Sequence, residues 1–393
     1  MNGRKMEKNT ALVLGQLSLV HSLQAAKIPM ILGVEKTKNC TCYSRFVKDV
    51  VCFSSFKNEK FIEELRDFSK SFENKPVIFS DDDDAILTIS EHRERLEDYF
   101  LFSFPEKETV SHVLDKQNFS ILAKKHELPA PKSFNIHSVD DLNDALSEFE
   151  FPCIVKPVFR SDWYHKDFTS TVGKYTKAFL LYTPEELYQL YEKISIINPN
   201  IVLQEFVEGD DKFHFSVNMY VDENYVTRGI YIAQKFRVYP IHAGMGSFIK
   251  TVEDGEIEKI SDQIVKKLKL KGLLNLQFKR DTRNNKPYLI EMHFRNSVWG
   301  NLGPAAGVNL YHQYYKGLVG EELPIAEPAK IGVKYINLER DVLGFLEYRA
   351  AGELTFREWI KSYSGNVTYG DFKFSDPMPF IVQFGRKFLF KNK

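Results

Sequence analysis

The residue types best suited to chemistry fall in residues 272–300, GLLNLQFKRDTRNNKPYLIEMHFRNSVWG. The two halves alternate with strand period, and DTRNNKP between them is rich in turn formers, so the pattern predicts a hairpin. In the second half Leu289, Glu291, His293 and Arg295 share one face, and Ile290, Met292 and Phe294 share the other. In the first half Asn275, Gln277 and Lys279 oppose Leu274, Leu276 and Phe278. With the apolar faces packed, Gln277, Glu291, His293 and Arg295 are expected to meet in one patch. Oxygen ligands beside a fixed positive charge are what a nucleotide triphosphate with magnesium requires. The competing reading is a half-buried hairpin whose polar face meets only water.

Two other basic positions stand out. Lys156 closes the apolar run FPCIVKP, and a lysine at the end of a buried strand is costly unless an anion meets it. In AQKFRVYPIHAGMGSF, Lys235 and Arg237 alternate on one strand face ahead of a glycine-containing loop. They suit a γ-phosphate or a substrate carboxylate, with an ordinary basic surface as the alternative.

The elements that must position these residues follow from periodicity. Strands are expected at residues 11–15, 29–34, 50–53 and 76–79, with helices at 17–27 and 61–72, which predicts an open parallel sheet flanked by helices. The turn Gly15-Gln16-Leu17-Ser18 lacks the glycine fingerprint of a dinucleotide site. The acidic run Asp81 to Asp84 follows a strand end, where it either contacts an amine or caps the next helix. Helical patterns occupy residues 106–128, 139–149, 184–194 and 257–270. Strands are expected at 201–209, 213–221 and 226–236.

Lysine plus arginine and aspartate plus glutamate both number 53. A zero net charge argues against a protein that lives on a nucleic acid backbone. Cys40, Cys42, Cys52 and Cys153 lack metal-finger spacing and read as reduced thiols. The start of the chain imitates a signal peptide, but Gln16, Ser18, His21 and Gln24 interrupt its apolar run. No stretch is long and apolar enough to span a bilayer. The expected setting is the cytoplasm, and the basic, aromatic end FGRKFLFKNK reads as a frayed tail.

The order of these motifs resembles the ATP-grasp superfamily. LQFKRD followed by LIEMHFRN resembles its metal-binding end, an acid or Gln on one strand and E-x-N-x-R on the next. Gln277, Glu291 and Arg295 match, and His293 stands where Asn is expected. DKQNFSILAKKHELPAPKSF resembles the entry to the fold, where the family lysine, here Lys116, touches the nucleotide phosphates; the match to Lys156 binds the α and β phosphates. IVLQEFVEG resembles the adenine clamp, with Gln204 and Glu205 at the base edge, backbone groups to Val207, and Asp211 or His214 reaching the ribose. The glycine-rich lid of relatives is replaced by RSDWYHKDFTSTVGKYTKA, in which Arg160, His165, Lys166 and the hydroxyls of residues 169–171 are the available donors. Asn309 matches a Gly-x-Asn loop, and residues 341–380 resemble the C-terminal extension of a bacterial subgroup that includes D-aspartate ligases.

The resemblance implies an α/β (α+β) protein. A pre-ATP-grasp α/β domain is expected over residues 1–104 and an ATP-grasp domain over 105–325. The latter comprises a lid at 133–206 and a large part at 207–325, with an extension at 326–393. It implies ATP with Mg²⁺ or Mn²⁺, the metal on Glu291 with Gln277 and His293. A substrate carboxylate is activated as an acylphosphate and then joined to an amine, in cell-envelope or polysaccharide synthesis, with Arg295, Arg237 and Lys235 stabilising oxygen charge. The expected partners are a small carboxylate and an amine, no nucleic acid, and as a candidate a second copy of the chain. Two rivals stand beside the ligase: a non-catalytic ATP-binding scaffold, suggested by His293, and an ATP-grasp carboxylase or carbamoyl-forming enzyme.

Overall fold

A computed structural model describes residues 9–36, 39–158, 160–163, 166–172, 178–242, 244–324 and 327–389. The chain divides into two compact units built from separated stretches. The first comprises Met1–Lys107, Phe215–Asn275 and His293–Lys393, and the second Glu108–His214 and Leu276–Met292.

In the first unit, four short apolar runs make a parallel sheet: β1 (Ala11–Leu14), β2 (Met30–Val34), β3 (Val50–Cys52) and β4 (Val77–Ser80), in the order β3-β2-β1-β4. Every residue of β1, β2 and β4 is buried, as expected of strands covered on both faces. The helix Leu17–Ala25 follows β1, and Glu59–Ser69, capped by Asn58, precedes β4. Strand and helix alternation in the sequence was therefore a sound guide to this sheet.

The second unit carries an antiparallel sheet of β5 (Ser133–Ile136), β6 (Cys153–Pro157), β7 (Phe179–Leu181) and β8 (Ile201–Glu205), ordered β5-β8-β6-β7. Helices Val139–Leu146 and Pro184–Ser195 bury Leu142, Leu187 and Ile194 in the core with Val155 and Leu203. The helical pattern over 106–128 is two helices, Lys107–Leu114 and Lys116–Lys125. Asp115 divides them, because its Oδ1 caps the second by accepting from the N–H groups of Gln117 and Asn118.

A seven-stranded sheet is built from β9 (His214–Val221), β10 (Thr227–Tyr239), β11 (Met245–Val252), β12 (Gly272–Arg280), β13 (Pro287–His293), β14 (Lys334–Ile336) and β15 (Val367–Tyr369). Its order is β13-β12-β9-β10-β11-β14-β15. β11 was not anticipated; Gly244 before it and Gly246 within it disguise a strand that pairs with β10 along its length. Strands β12 and β13 pass from one unit to the other at Asn275/Leu276 and Met292/His293. Among the described residues all four cysteines are free, and no helix is long and apolar enough to cross a membrane.

Candidate active site

In the second unit, Lys156 near the end of β6 donates from Nζ to Oε1 of Gln204 on β8 at 2.6 Å. Gln204 is held in turn by Ser133 on β5, whose Oγ accepts from Nε2 at 3.0 Å. Among the described residues no carboxylate lies within ion-pair distance of Lys156. Burial pulls its pKa down to about 8; Glu291 opposes the fall, and Lys116 and Lys279 add to it. Three ammonium groups and one exposed carboxylate thus share a neighbourhood. Lys116, in the first turn of its helix, donates to the Val158 carbonyl at 3.3 Å. Lys279, buried in β12, lies 4.7 Å from the Phe206 ring centroid. Burial lowers its pKa first, and Asp211, Asp281, Asp210 and Glu208 oppose that. Its part was missed, although it shares strand parity with Gln277.

The end of β8 differs from expectation in one respect. Gln204 is buried, with both ends of its amide committed to Lys156 and Ser133, so it orients the lysine and does not present its side chain to a base. Strand alternation explains this, since Gln204 and Glu205 point to opposite faces. The Glu205 N–H donates to the Lys132 carbonyl at 2.8 Å. Val207 is buried and its N–H has no acceptor among the described residues. Arg283, a second residue the sequence did not single out, donates to the Phe206 carbonyl at 3.1 Å and to Asp281 at 2.6 Å. It stands 3.8 Å from the Glu205 carboxylate. Asp211 is buried at the start of the turn Asp211–Phe213, within the field of Lys279, while His214 is half-buried where β9 begins.

The four hairpin residues expected in one patch divide between the units: Gln277 and Glu291 belong to the second, His293 and Arg295 to the first. Nor are the hairpin's faces simply polar and apolar. Asn275 is fully buried, donating to Ser216 Oγ at 2.7 Å and the Val217 carbonyl at 3.1 Å. Along β13 the buried positions change parity, from Pro287 and Leu289 to Met292, with Phe294 continuing the second series and Glu291 exposed. Leu289 is therefore core, apart from the polar residues with which it was grouped.

In the first unit Arg295 makes a two-pronged pair with Asp83, Nε to Oδ1 at 2.7 Å and the other donor to Oδ2 at 2.9 Å. His293 Nδ1 lies 3.9 Å from the same carboxylate. The neighbouring Asp82 caps the helix Asp83–Glu91 by accepting from Ala85 N–H at 2.9 Å, so the capping reading of the acidic run holds for this residue.

Arg237 is corrected outright as a substrate-facing group. It is 6% exposed, donates twice to Asp341 at 2.8 Å and once to Ser362 Oγ at 3.0 Å, and its guanidinium lies 4.2 Å from the Phe248 ring centroid. The β10–β11 register slips between Lys235 and Arg237, which breaks the alternation that grouped them on one face. Lys235 lies 5.9 Å from the Trp299 ring centroid. Asn309 likewise serves the fold, capping the helix Leu310–Leu318 through His312 N–H and donating to the Ser22 carbonyl at 2.9 Å. In the lid segment, His165 and the side chains of Arg160, Lys166 and Thr169 lie outside the described residues.

Comparison with known structures defines the class: the fold is ATP-grasp. N5-carboxyaminoimidazole synthetase from Staphylococcus aureus, complexed with ADP, superposes with a TM-score of 0.67 at 14% identity, covering 90% of this chain and 88% of that one. Biotin carboxylase from Campylobacter jejuni, in a β-γ-ATP complex, gives 0.62 at 14% identity over 83% and 74%. In sequence the chain is 26% identical over 284 residues to D-aspartate ligase of Enterococcus faecium, 69% of this chain and 66% of that protein. It is 26% identical over 231 residues to the carbamoyl phosphate synthase large chain of Thermotoga neapolitana, 55% of this chain. The matched part is just under two thirds of the ligase and 19% of the synthase chain. No protein-family model matches. The chain thus shares the fold of these enzymes and is similar in sequence to D-aspartate ligase and to the carbamoyl phosphate synthase large chain.

Proposed function

We propose that this chain is an ATP-dependent carboxylate–amine ligase. The observation that carries the reading is Lys156: a half-buried ammonium, held at one point by an amide and with no carboxylate in ion-pair contact among the described residues, beside two further lysines. A cation in that state is costly alone and complementary to a phosphate group. The Val207 N–H, which has no acceptor among the described residues, fits the acceptor on an adenine edge, with Glu205 and Asp211 close to it in sequence. Gln204 keeps Lys156 in place.

The residues also fit a phosphate-bound divalent ion. Among the described residues no group of three His, Cys, Asp or Glu could hold a metal, whereas Mg²⁺ on a nucleotide needs only one or two protein carboxylates. Glu291, with Gln277 on the neighbouring strand, would supply the protein's share, and His293 is a better partner for Mn²⁺. When bound, the ion neutralises phosphate charge. Lys116 and Lys156 position the phosphates, and Arg295 is the cation for charge developing on a carboxylate oxygen. Similarity to D-aspartate ligase supports an amino-acid carboxylate as one substrate and a role in envelope synthesis in the cytoplasm.

The test is ADP release across a screen of amino acids and amines with Mg²⁺ or Mn²⁺. Amine-dependent release is expected, and Glu291→Gln should abolish it. Bicarbonate dependence with no amine requirement would move the protein to the carboxylase class, and ATP binding without turnover would make it a scaffold.

A further inference from the structure

The helix Met378–Leu389 takes up residues that the sequence led us to expect frayed, and it is fixed to the first unit along one side. Just before it, Asp376 is buried: Oδ2 accepts from Ser44 Oγ at 2.6 Å and lies 3.1 Å from His21 Nε2, and Oδ1 accepts from Arg45 N–H at 3.0 Å. Further along, Gln383 Oε1 accepts from Cys40 Sγ at 3.7 Å while its Nε2 donates to Glu339 at 3.1 Å, and Arg386 donates to Tyr43 Oη at 3.3 Å. The helix is held without using its outer face.

That outer face is apolar. Met378, Ile381 and Phe384 recur at three-residue spacing, which keeps them on one side of a helix, and all three are exposed. Phe374, in the turn before the helix, is 87% exposed, and it joins the row through ring contacts that run from Phe372 to Phe380 to Phe384. Tyr43, against the Arg386 guanidinium, is exposed at the edge. A lone apolar residue on a surface needs no partner, but a continuous row of this kind marks a contact face.

The charge around the row has one sign. From Phe372 to Lys393 the sequence holds one acid, Asp376, which is turned inward, against Lys373, Arg386, Lys387, Lys391 and Lys393. Arg45, next to the Asp376 anchor, is exposed and has no carboxylate within ion-pair distance among the described residues. The complementary partner is apolar within and anionic at its surface. A nucleic acid would meet the cations and leave the phenyl rings in water. A second copy of the chain would set like charge against like. An anionic lipid layer satisfies both, its acyl chains taking the row and its phosphates the cations.

We propose that this face binds the surface of an anionic lipid bilayer, with Phe374, Met378, Ile381 and Phe384 entering the headgroup boundary and the surrounding cations meeting lipid phosphates. The contact is peripheral, since among the described residues no helix is long and apolar enough to cross a membrane. It goes beyond the ligase reading and does not depend on it.

The experiment is co-sedimentation of the full chain with vesicles of phosphatidylcholine alone and of phosphatidylcholine mixed equally with phosphatidylglycerol. The chain should sediment with the anionic vesicles and little with the neutral ones, and added salt should weaken the attraction. In Phe374→Ser/Ile381→Ser the partition coefficient should fall by about tenfold or more, as apolar contact with lipid is lost. Arg45→Glu should lower it by about fivefold. Both side chains changed in the double variant are more than half exposed, so its melting temperature should hold and separate lost binding from lost folding. Binding to anionic vesicles no greater than to neutral ones, or unchanged partition in the double variant, would overturn the proposal. Binding to polyglutamate but not to anionic vesicles would overturn it in favour of an acidic polypeptide. A lipid-free dimer that the double variant dissociates, seen by sedimentation equilibrium, would overturn it in favour of a second copy.

Discussion

The lysine cluster of the second unit and the acidic run that follows β4 in the first carry opposite signs. In one, Lys156 is drawn down to about 8 by burial, with Lys116 and Lys279 adding to the fall. In the other, Asp81 is pushed up to about 7, again chiefly by burial, with Arg295 opposing and Asp83 reinforcing the rise. Each gathers like charges, and neither Lys156 nor Asp81 has a countercharge in ion-pair contact among the described residues. Arg237 and Asp341 are buried more deeply than either, yet they are paired at 2.8 Å and ringed by Ser247, Trp359, Ser362 and Tyr363. Buried charge alone therefore marks nothing. Buried charge without a partner marks a place where a ligand completes the structure.

The sharpest way to break this distinction is to treat the paired cation as though it were a site. Arg237→Met leaves Asp341 as an uncompensated buried carboxylate and should cost about 3–5 kcal/mol of folding free energy. It should appear as a lower urea midpoint, with ADP affinity of the folded protein unchanged. Arg237→Met/Asp341→Leu should recover most of the loss. A variant of full stability that no longer binds nucleotide would reverse the assignment.

Lys156→Met should do the opposite. Loss of a charge-assisted contact to phosphate, about 1.5–3 kcal/mol, predicts a Kd for ADP some ~10–100-fold weaker by calorimetry. Stability should hold or rise. The folded pKa lies below the unfolded 10.5, so the charged lysine costs stability at neutral pH, and that cost is relieved as pH climbs from about 8 towards 10.5. Any stability gain in the variant should therefore shrink over that window. At pH 8.5 ADP binding should take up a proton in the wild type and not in the variant; equal proton uptake would remove Lys156 from the phosphates.

Much of this was legible in the residues. Apolar runs located β1, β2 and β4 to within a residue or two, and Lys156 after FPCIV signalled a half-buried ammonium before any geometry was known. What stayed hidden depended on partners far along the chain. Nothing near Arg237 announces Asp341, and the slip between Lys235 and Arg237 cannot be read from alternation. Gln204 was placed at a base edge by resemblance to the adenine clamp, and a strand end shows which residues are polar but not which face each one takes. The parity change along β13 that buries Leu289 is invisible for the same reason. Of the acidic run, Asp82 caps its helix, as one of the two readings had it, while Asp83 holds Arg295, a pairing that neither reading named.

The finest test of the comparison lies in the acidic run, where the predicted effect is a few degrees at most. The Asp81 pKa is raised from its ordinary 3.8, so the folded chain holds that proton more tightly than the unfolded one. The stability linked to the protonated carboxyl is fully present below pH 4 and is lost as pH rises to about 7. Asparagine at this position does not titrate. The melting temperature of Asp81→Asn minus that of the wild type should thus climb between pH 4 and 7 and level off above. A difference that ignores pH would mean that Asp81 feels no penalty for its charge. A difference that falls with pH would mean that a cation of the chain already serves it, and the symmetry between the two clusters would fail.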